Sequence, residues 1–174
     1  GGVQPEREEL SRFYLNTQIE MTPAIFRGII EQGLKDGLRF EVKIGASMNA
    51  NELSRYDKMV VYYPTADHDR MIDFIGRIYN LYGSSFNKGA PEFTTGVQHF
   101  QTSEVLDGVG FGEEPKNGDS FGMVRSQILA DLYQDSRRMD LDISDPRFEL
   151  GARFKIACRK HGVDPEHPAF NLSK

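Results

Sequence analysis

The chain has 174 residues, 39% of them hydrophobic and 27% charged, with a formal net charge of -5. That suits one domain with a real core, and because both signs of charge are mixed along the chain, bulk electrostatics supports neither a nucleic-acid nor an anionic-membrane partner. A single Cys158 excludes an internal disulfide and a Cys-rich zinc site; His68, His99, His161 and His167 lack metal-ligand spacing, and neither a membrane span nor a signal peptide is present.

In chain order, residues 1–10 are polar and open on Gly1-Gly2 without a Met, which reads as a disordered N-terminal segment or a cloning scar ahead of a folded domain over 11–174. SRFYLNTQIE alternates, with Phe13, Leu15, Thr17 and Ile19 on one face and Arg12, Tyr14, Asn16 and Gln18 on the other, which predicts a half-buried strand. Thr22-Pro23 predicts a helix cap and first-turn proline, followed by Ile25, Phe26, Ile29, Ile30 and Leu34 at helical spacing and Gly37 as the stop. LRFEVKIG alternates again, setting Leu38, Phe40, Val42 and Ile44 against Arg39, Glu41 and Lys43. After a polar loop, the apolar run KMVVYYP predicts a central strand ended by Pro64. DHDRMIDFIGRIYNLYG predicts a helix with Met71, Ile75, Ile78 and Tyr82 on one stripe.

The stretch from Ser84 to Gly118 is rich in Gly, Ser, Thr and Pro, with strand-like TGVQHFQT and GVGFGEE, and its length points to site-forming loops. SFGMVRSQILADLY places Phe121, Val124, Ile128 and Leu132 on one helical stripe. SDPRFELGARFKIACRKHG predicts a last helix with a Ser or Asp cap, Pro146 in its first turn and Gly162 after it, and VDPEHPAF should be an extended tail. The fold expected is α+β in a single domain, starting β-α-β-β-α, with a twisted mixed or antiparallel sheet flanked by about four helices.

If the two alternating strands are neighbours, Arg12, Tyr14, Asn16, Arg39, Glu41 and Lys43 share a surface; the competing explanation is a sheet face that is polar because water touches it. Arg55 is a lone arginine that pairs equally well with Asp57. In GDSFGMVR, Ser120 can cap its helix, and a capped N-terminus with Arg125 one or two turns in favours anions, against the plainer reading of a cap followed by an exposed arginine. His99 and Cys158 receive no role.

The ordered set RFYLN, RFEVKIG, SRYDKMVVYYP, PEFTTG and GVGFGEEPKNGDSFGMVR, closed by ARFKIACRKHGVDPEHPAF, resembles the HopA (HrmA-like) family of bacterial type III effector domains from about Arg12 to Phe170. Relatives of that family serve as lyases in thioamitide and class V lanthipeptide maturation and are distantly similar to phosphothreonine lyases. The resemblance implies an effector or lyase-like domain over 11–174 that eliminates phosphate from phosphoserine or phosphothreonine in a protein or peptide. It implies Lys43 as base, Arg12, Arg55 and Arg125 as phosphate-binding cations, and a Ser120 hydroxyl contact, with no cofactor and no metal. Where the phosphothreonine lyases carry a histidine, RFYLN offers Tyr14 as acid, with Tyr62 or Tyr63 as a second candidate. A lysine base must lose its proton near neutral pH, which burial or neighbouring cations favour; Glu41, on the face of Lys43, works against it. The alternative is a non-catalytic virulence effector or toxin domain that binds a host protein. Partners are then a phosphorylated substrate or a host target, with a secretion chaperone or a partner kinase as accessory, and no nucleic acid. The place of action is the outside of the bacterium or a host cell for an effector, and the bacterial cytoplasm for a biosynthetic enzyme.

Overall fold

The computed structural model describes residues 8–45, 55–99 and 102–173. Most of the polar loop predicted between the second and third strands lies outside them. The chain forms two compact units, 1–111 and 112–174.

The first unit holds strands β1 (Leu10–Leu15), β2 (Glu41–Ile44), β3 (Met59–Pro64), β4 (Thr95–Gln98) and most of β5 (Val105–Glu113), with helices α1 (Thr22–Lys35) and α2 (His68–Tyr82). The sheet order is β2-β3-β1-β5-β4, and β3 runs antiparallel to both β1 and β2, as β4 does to β5. The β-α-β-β-α start and the α+β class are therefore as expected; β3 is paired on both sides, but β1 is the middle strand. Leu10 already belongs to β1, and the Thr65 amide donates to the Glu9 carbonyl at 2.9 Å. β1 is also shorter than its alternation suggests: beyond Leu15 only an isolated bridge, Thr17 to Phe86, continues it.

Alternation places Phe13 and Leu15 of β1 on the core face, and the register extends that face to β3. Phe13, Leu15, Met59, Val61 and Tyr63 are buried on one face, where Phe13 stacks on Tyr63 with ring centroids 5.0 Å apart and the Tyr63 hydroxyl meets His68 Nδ1 at 2.7 Å. Helix α2 lies against β3, and α1 against α2. Met71, Ile75 and Ile78 are buried as their spacing predicts, together with Phe74. In α1, Ile25 and Ile29 are buried, but Leu34 is 70% exposed and Gly33 is buried in its place. A Cβ at Gly33 would stand 2.3 Å from the Phe40 ring, so this glycine admits an aromatic from the β2 side. Met21, not Thr22, occupies the N-cap of α1. The Thr22 hydroxyl donates to the Gln18 carbonyl at 3.0 Å and meets Thr17 Oγ1 at 2.6 Å, binding the end of β1 to the helix start.

The second unit holds α3 (Phe121–Met139) and α4 (Leu150–Lys160). Val124, Ile128, Ala157, Cys158 and Val163 form its core, with Phe154 packed on it. The predicted stripe of α3 is buried throughout. The predicted last helix is instead split: Asp145 caps a short 3-10 turn, Pro146–Phe148, and α4 starts only after Glu149, whose φ of 52 breaks the helical path. VDPEHPAF is not an extended tail. It folds back after Gly162, with the Leu172 amide donating to the Gly162 carbonyl at 2.8 Å and Val163 bridging to Asn171.

Candidate functional site

The register of the three strands settles which side chains share the polar face. Arg12 pairs with Tyr62, which pairs in turn with Glu41; Tyr14 pairs with Val60, which pairs with Lys43. Directly opposed residues point to the same side of a sheet, so Arg12, Tyr14, Tyr62, Glu41 and Lys43 occupy one face, opposite Phe13 and Tyr63. Of the two tyrosines left open by the sequence, Tyr62 is on the site side and Tyr63 is core.

Tyr62 organises this face. The Arg12 guanidinium carbon lies 4.6 Å from its ring centroid and the Lys43 amine also lies 4.6 Å from it. A cation against a tyrosine ring gains about 0.5–1 kcal/mol in water and about 2 kcal/mol when desolvated. Arg12 belongs to the second case, being 5% exposed. Its Nη1 also donates to the Tyr14 hydroxyl at 3.2 Å. Tyr14 is equally buried, and burial pushes its phenol up to about 12 in spite of the opposing pull of Arg12. The β1 part of the polar face is thus a buried cation-phenol pair and not the solvated surface that polarity alone suggests.

The β2 part is different. The Lys43 side chain is 61% exposed, and its amine lies 3.4 Å from Glu41 Oε1. Glu41 is thus the carboxylate partner of Lys43, an ion pair exposed to solvent. Arg39 lies ahead of β2 and pairs with Glu8 at 2.9 Å and Asp67 at 3.3 Å, away from the shared face.

Arg55 forms the ion pair that its sequence neighbourhood suggested. Its Nε and Nη2 donate to the two carboxylate oxygens of Asp57 at 2.7 and 2.6 Å, and this fork holds the Asp57 carboxyl below its ordinary range. Beside it stands a group that sequence reasoning missed. Lys58 donates through Nζ to Asn16 Oδ1 at 2.7 Å, and burial pulls its amine down from the ordinary lysine range against the charge of Asp57. The signal was present in KMVVYYP: if Val60 and Tyr62 face the site, so does Lys58, two residues earlier.

Ser120 and Arg125 belong to the second unit, and each has a local partner there. Ser120 caps α3, accepting from the Met123 amide at 3.2 Å. Arg125 is 2% exposed; its Nε and Nη2 donate to the Pro168 carbonyl at 3.2 and 3.0 Å, and its guanidinium carbon lies 4.0 Å from the Phe121 ring centroid. Arg125 is thus not the exposed arginine of the plainer reading but a buried one that ties the C-terminal turn to α3. Cys158 is buried in the core, where burial pushes its thiol up, and His99 stands near Asn80 at 3.3 Å beneath α2, where a Cβ at Gly76 would meet its ring at 2.9 Å. Neither acquires a role in the site.

Among the described residues there is no group of three or more His, Cys, Asp or Glu side chains that could hold a metal, and no helix is long and apolar enough to cross a membrane. An apolar groove of about 600 Å³ runs along α1, lined by Pro23, Phe26, Ile30 and Ile44 with Arg27 and Glu31 at hand.

The fold, an α+β unit followed by a helical unit, is similar to that of solved bacterial effectors. The chain is similar to the structure of the effector protein from Pseudomonas syringae pv. tomato strain DC3000, with a TM-score of 0.67, 16% identity, 98% of this chain covered and 60% of that one. It is also similar to the effector protein from Pseudomonas syringae pv. syringae strain 61, with a TM-score of 0.55 and 13% identity over 97% of this chain and 59% of that one. These likenesses concern the fold, and the chain spans about three fifths of the length of either structure. Residues 2–170 match the HopA1 effector protein family, and the chain belongs to that family. No curated protein matches it.

Proposed function

We propose that this HopA1-family domain acts in a host cell as a phosphoserine or phosphothreonine lyase, with the polar face of β2, β3 and β1 as its phosphate site. The observation that carries the reading is the convergence of Arg12 and Lys43 on the Tyr62 ring, with Tyr14 held by Arg12. Elimination of phosphate needs cations for the dianion, a base for the Cα proton and a donor for the departing oxygen. Arg12 is a permanent cation with several donors in a fixed fork. Tyr14 keeps its proton throughout the neutral range, which suits a donor to a phosphate oxygen that becomes strongly basic as the C–O bond breaks. Lys43 is the base implied by the family resemblance, and its pair with Glu41 must open for that role. Arg55 and Arg125 already donate to Asp57 and Pro168, whereas Ser120, whose oxygen accepts from the Met123 amide, still has its hydroxyl proton to donate.

Those existing pairings favour a second reading, a delivered effector that binds a host protein without chemistry. The groove along α1 then supplies the apolar contact and the ion-paired face a polar rim. Mass spectrometry separates the two. The domain is incubated with a degenerate library of phosphoserine and phosphothreonine peptides. The lyase reading expects products lighter by the elements of phosphoric acid, carrying a dehydroamino acid. Unchanged peptide masses in a folded sample would overturn it.

A further inference from the structure

The elimination proposed above needs a base, and the surroundings of the two lysines on the site face differ. We propose that Lys58, not Lys43, takes the Cα proton, with Asn16 as its positioning residue and Arg55 as the residue that keeps Asp57 from holding its charge. The inference rests on the lyase reading and assigns a residue that the family resemblance does not point to.

Lys58 directly precedes β3. Its carbonyl accepts from the Gly45 amide at 3.0 Å, which continues the ladder with β2 by one step, and its side-chain amine reaches Asn16 on the β1 side. Its alternation with Val60 and Tyr62 puts it on the face that carries Arg12, Tyr14 and Lys43. The acceptor is a neutral amide whose orientation is fixed: Asn16 Nδ2 donates to the carbonyls of Lys88 and Gly89 at 3.0 and 3.1 Å, which turns Oδ1 toward Lys58. Asn87 Nδ2 approaches the same oxygen at 3.4 Å and donates to the Thr17 carbonyl at 3.1 Å. An amide oxygen aligns an amine without adding the negative charge that would stabilise its protonated form. Lys43 has the opposite arrangement, a carboxylate partner in water.

The charged and titratable groups around Lys58 support the assignment. From β1 the face presents Arg12 and Tyr14, from β2 Glu41 beside Lys43, and from β3 Tyr62; the 86–89 segment contributes the Lys88 carbonyl to the Asn16 network. Asp57 is the carboxylate whose charge acts on Lys58, and both its oxygens are taken by Arg55. Burial lowers the affinity of the Lys58 amine for its proton, and Asp57 opposes that shift.

In the reaction, the lone pair of Lys58 takes the Cα proton, the C–H electrons form the Cα=Cβ bond, and the Cβ–O bond breaks with its electrons on phosphate. Tyr14 donates to the leaving oxygen and is reprotonated from Lys58 through solvent. The products are a dehydroamino acid and hydrogen phosphate, with no net change in protons.

The test uses the same peptide library with wild type, Lys58→Arg, Lys43→Ala and Arg55→Ala, each checked for folding by circular dichroism. Loss of a positioned general base removes about 100-fold or more of the rate, so Lys58→Arg should lose at least that much in kcat, while Lys43→Ala, which removes a cation from the phosphate site, should act mainly on KM. Arg55→Ala should move the rising limb of the pH–rate profile to higher pH, because Asp57 then acts on Lys58 unopposed; a merely structural Arg55 would lower the rate without moving the limb. In parallel, the lysines are labelled by reductive methylation with carbon-13 and titrated by NMR, where the Lys58 signal should lose its proton before the others. A Lys58→Arg variant with the wild-type rate, or a Lys58 signal that titrates with the bulk lysines, overturns the assignment while leaving the lyase reading in place. No product from the folded wild type overturns the lyase reading and the assignment with it.

Discussion

Tyr14 shows how one buried side chain carries both a structural and a chemical consequence. Its phenol is raised to about 12 because burial disfavours the phenolate more than Arg12 favours it. The folded state therefore holds a proton that an unfolded chain loses near its ordinary value of about 10. The stability from this group is complete below about pH 10 and is lost as pH rises toward about 12, and Tyr79, also raised mainly by burial, acts in the same direction. Denaturant unfolding across that window should show wild type losing on the order of 2 kcal/mol more than Tyr14→Phe. Equal pH dependence in the two proteins would mean that Tyr14 is not buried against Arg12. Arg125 makes the converse point. Its sequence setting, five residues into a capped helix, is the same for a surface arginine, an anion ligand and a buried brace. What decides among these is the Pro168 carbonyl, 43 positions away, which local pattern does not reveal.

Among the elements, the junction of β1, β5 and the segment after α2 depends on backbone geometry more than on side-chain packing. The Asn16 amide donates to the Gly108 carbonyl at 2.8 Å and the Asn87 amide to the Asn16 carbonyl at 2.8 Å, so three segments meet at one residue. Gly108 has φ +77, and a Cβ there would lie 2.1 Å from the Asn87 carbonyl oxygen. Gly108→Ala should therefore cost about 2–4 kcal/mol, combining left-handed strain with a backbone displacement, and it should disturb the Asn16 network that holds Lys58. Gly37→Ala is the control: φ is +61 but nothing stands within 4 Å, so its cost should be about 1 kcal/mol. Guanidinium unfolding measures both, and equal costs would contradict the crowding at Gly108.

The same scale explains what was legible in advance. Alternation identified β1 and β2, a continuous apolar run identified β3, and the helical spacing identified α1, α2 and α3, because the period records which face each element buries. It also put Arg12, Tyr14 and Lys43 on one side. KMVVYYP left Tyr62 and Tyr63 as alternatives and Lys58 unnoticed, since a strand with apolar residues on both faces shows no alternation to say which side chains face the site. The split of the last helix at Glu149 and the folding back after Gly162 rest on residues with positive φ and on hydrogen bonds closed at a distance, neither of which helical spacing encodes.

Taken whole, the molecule joins a sheet-based unit that carries the cationic face to a helical unit that buries Arg125 and Cys158 in structural positions. Membership of the HopA1 effector family fits delivery to a host cell, and the proposed lyase activity depends on the sheet face alone. The most direct test is a nitrogen-15 NMR titration with a peptide bearing the phosphonate analogue of phosphoserine, whose methylene bridge cannot be eliminated. The account predicts saturable shifts concentrated at Arg12, Tyr14, Lys43, Lys58 and Tyr62, absent with the unphosphorylated peptide. Shifts confined to the α1 groove around Phe26 and Ile30, or no shifts at all, would contradict it.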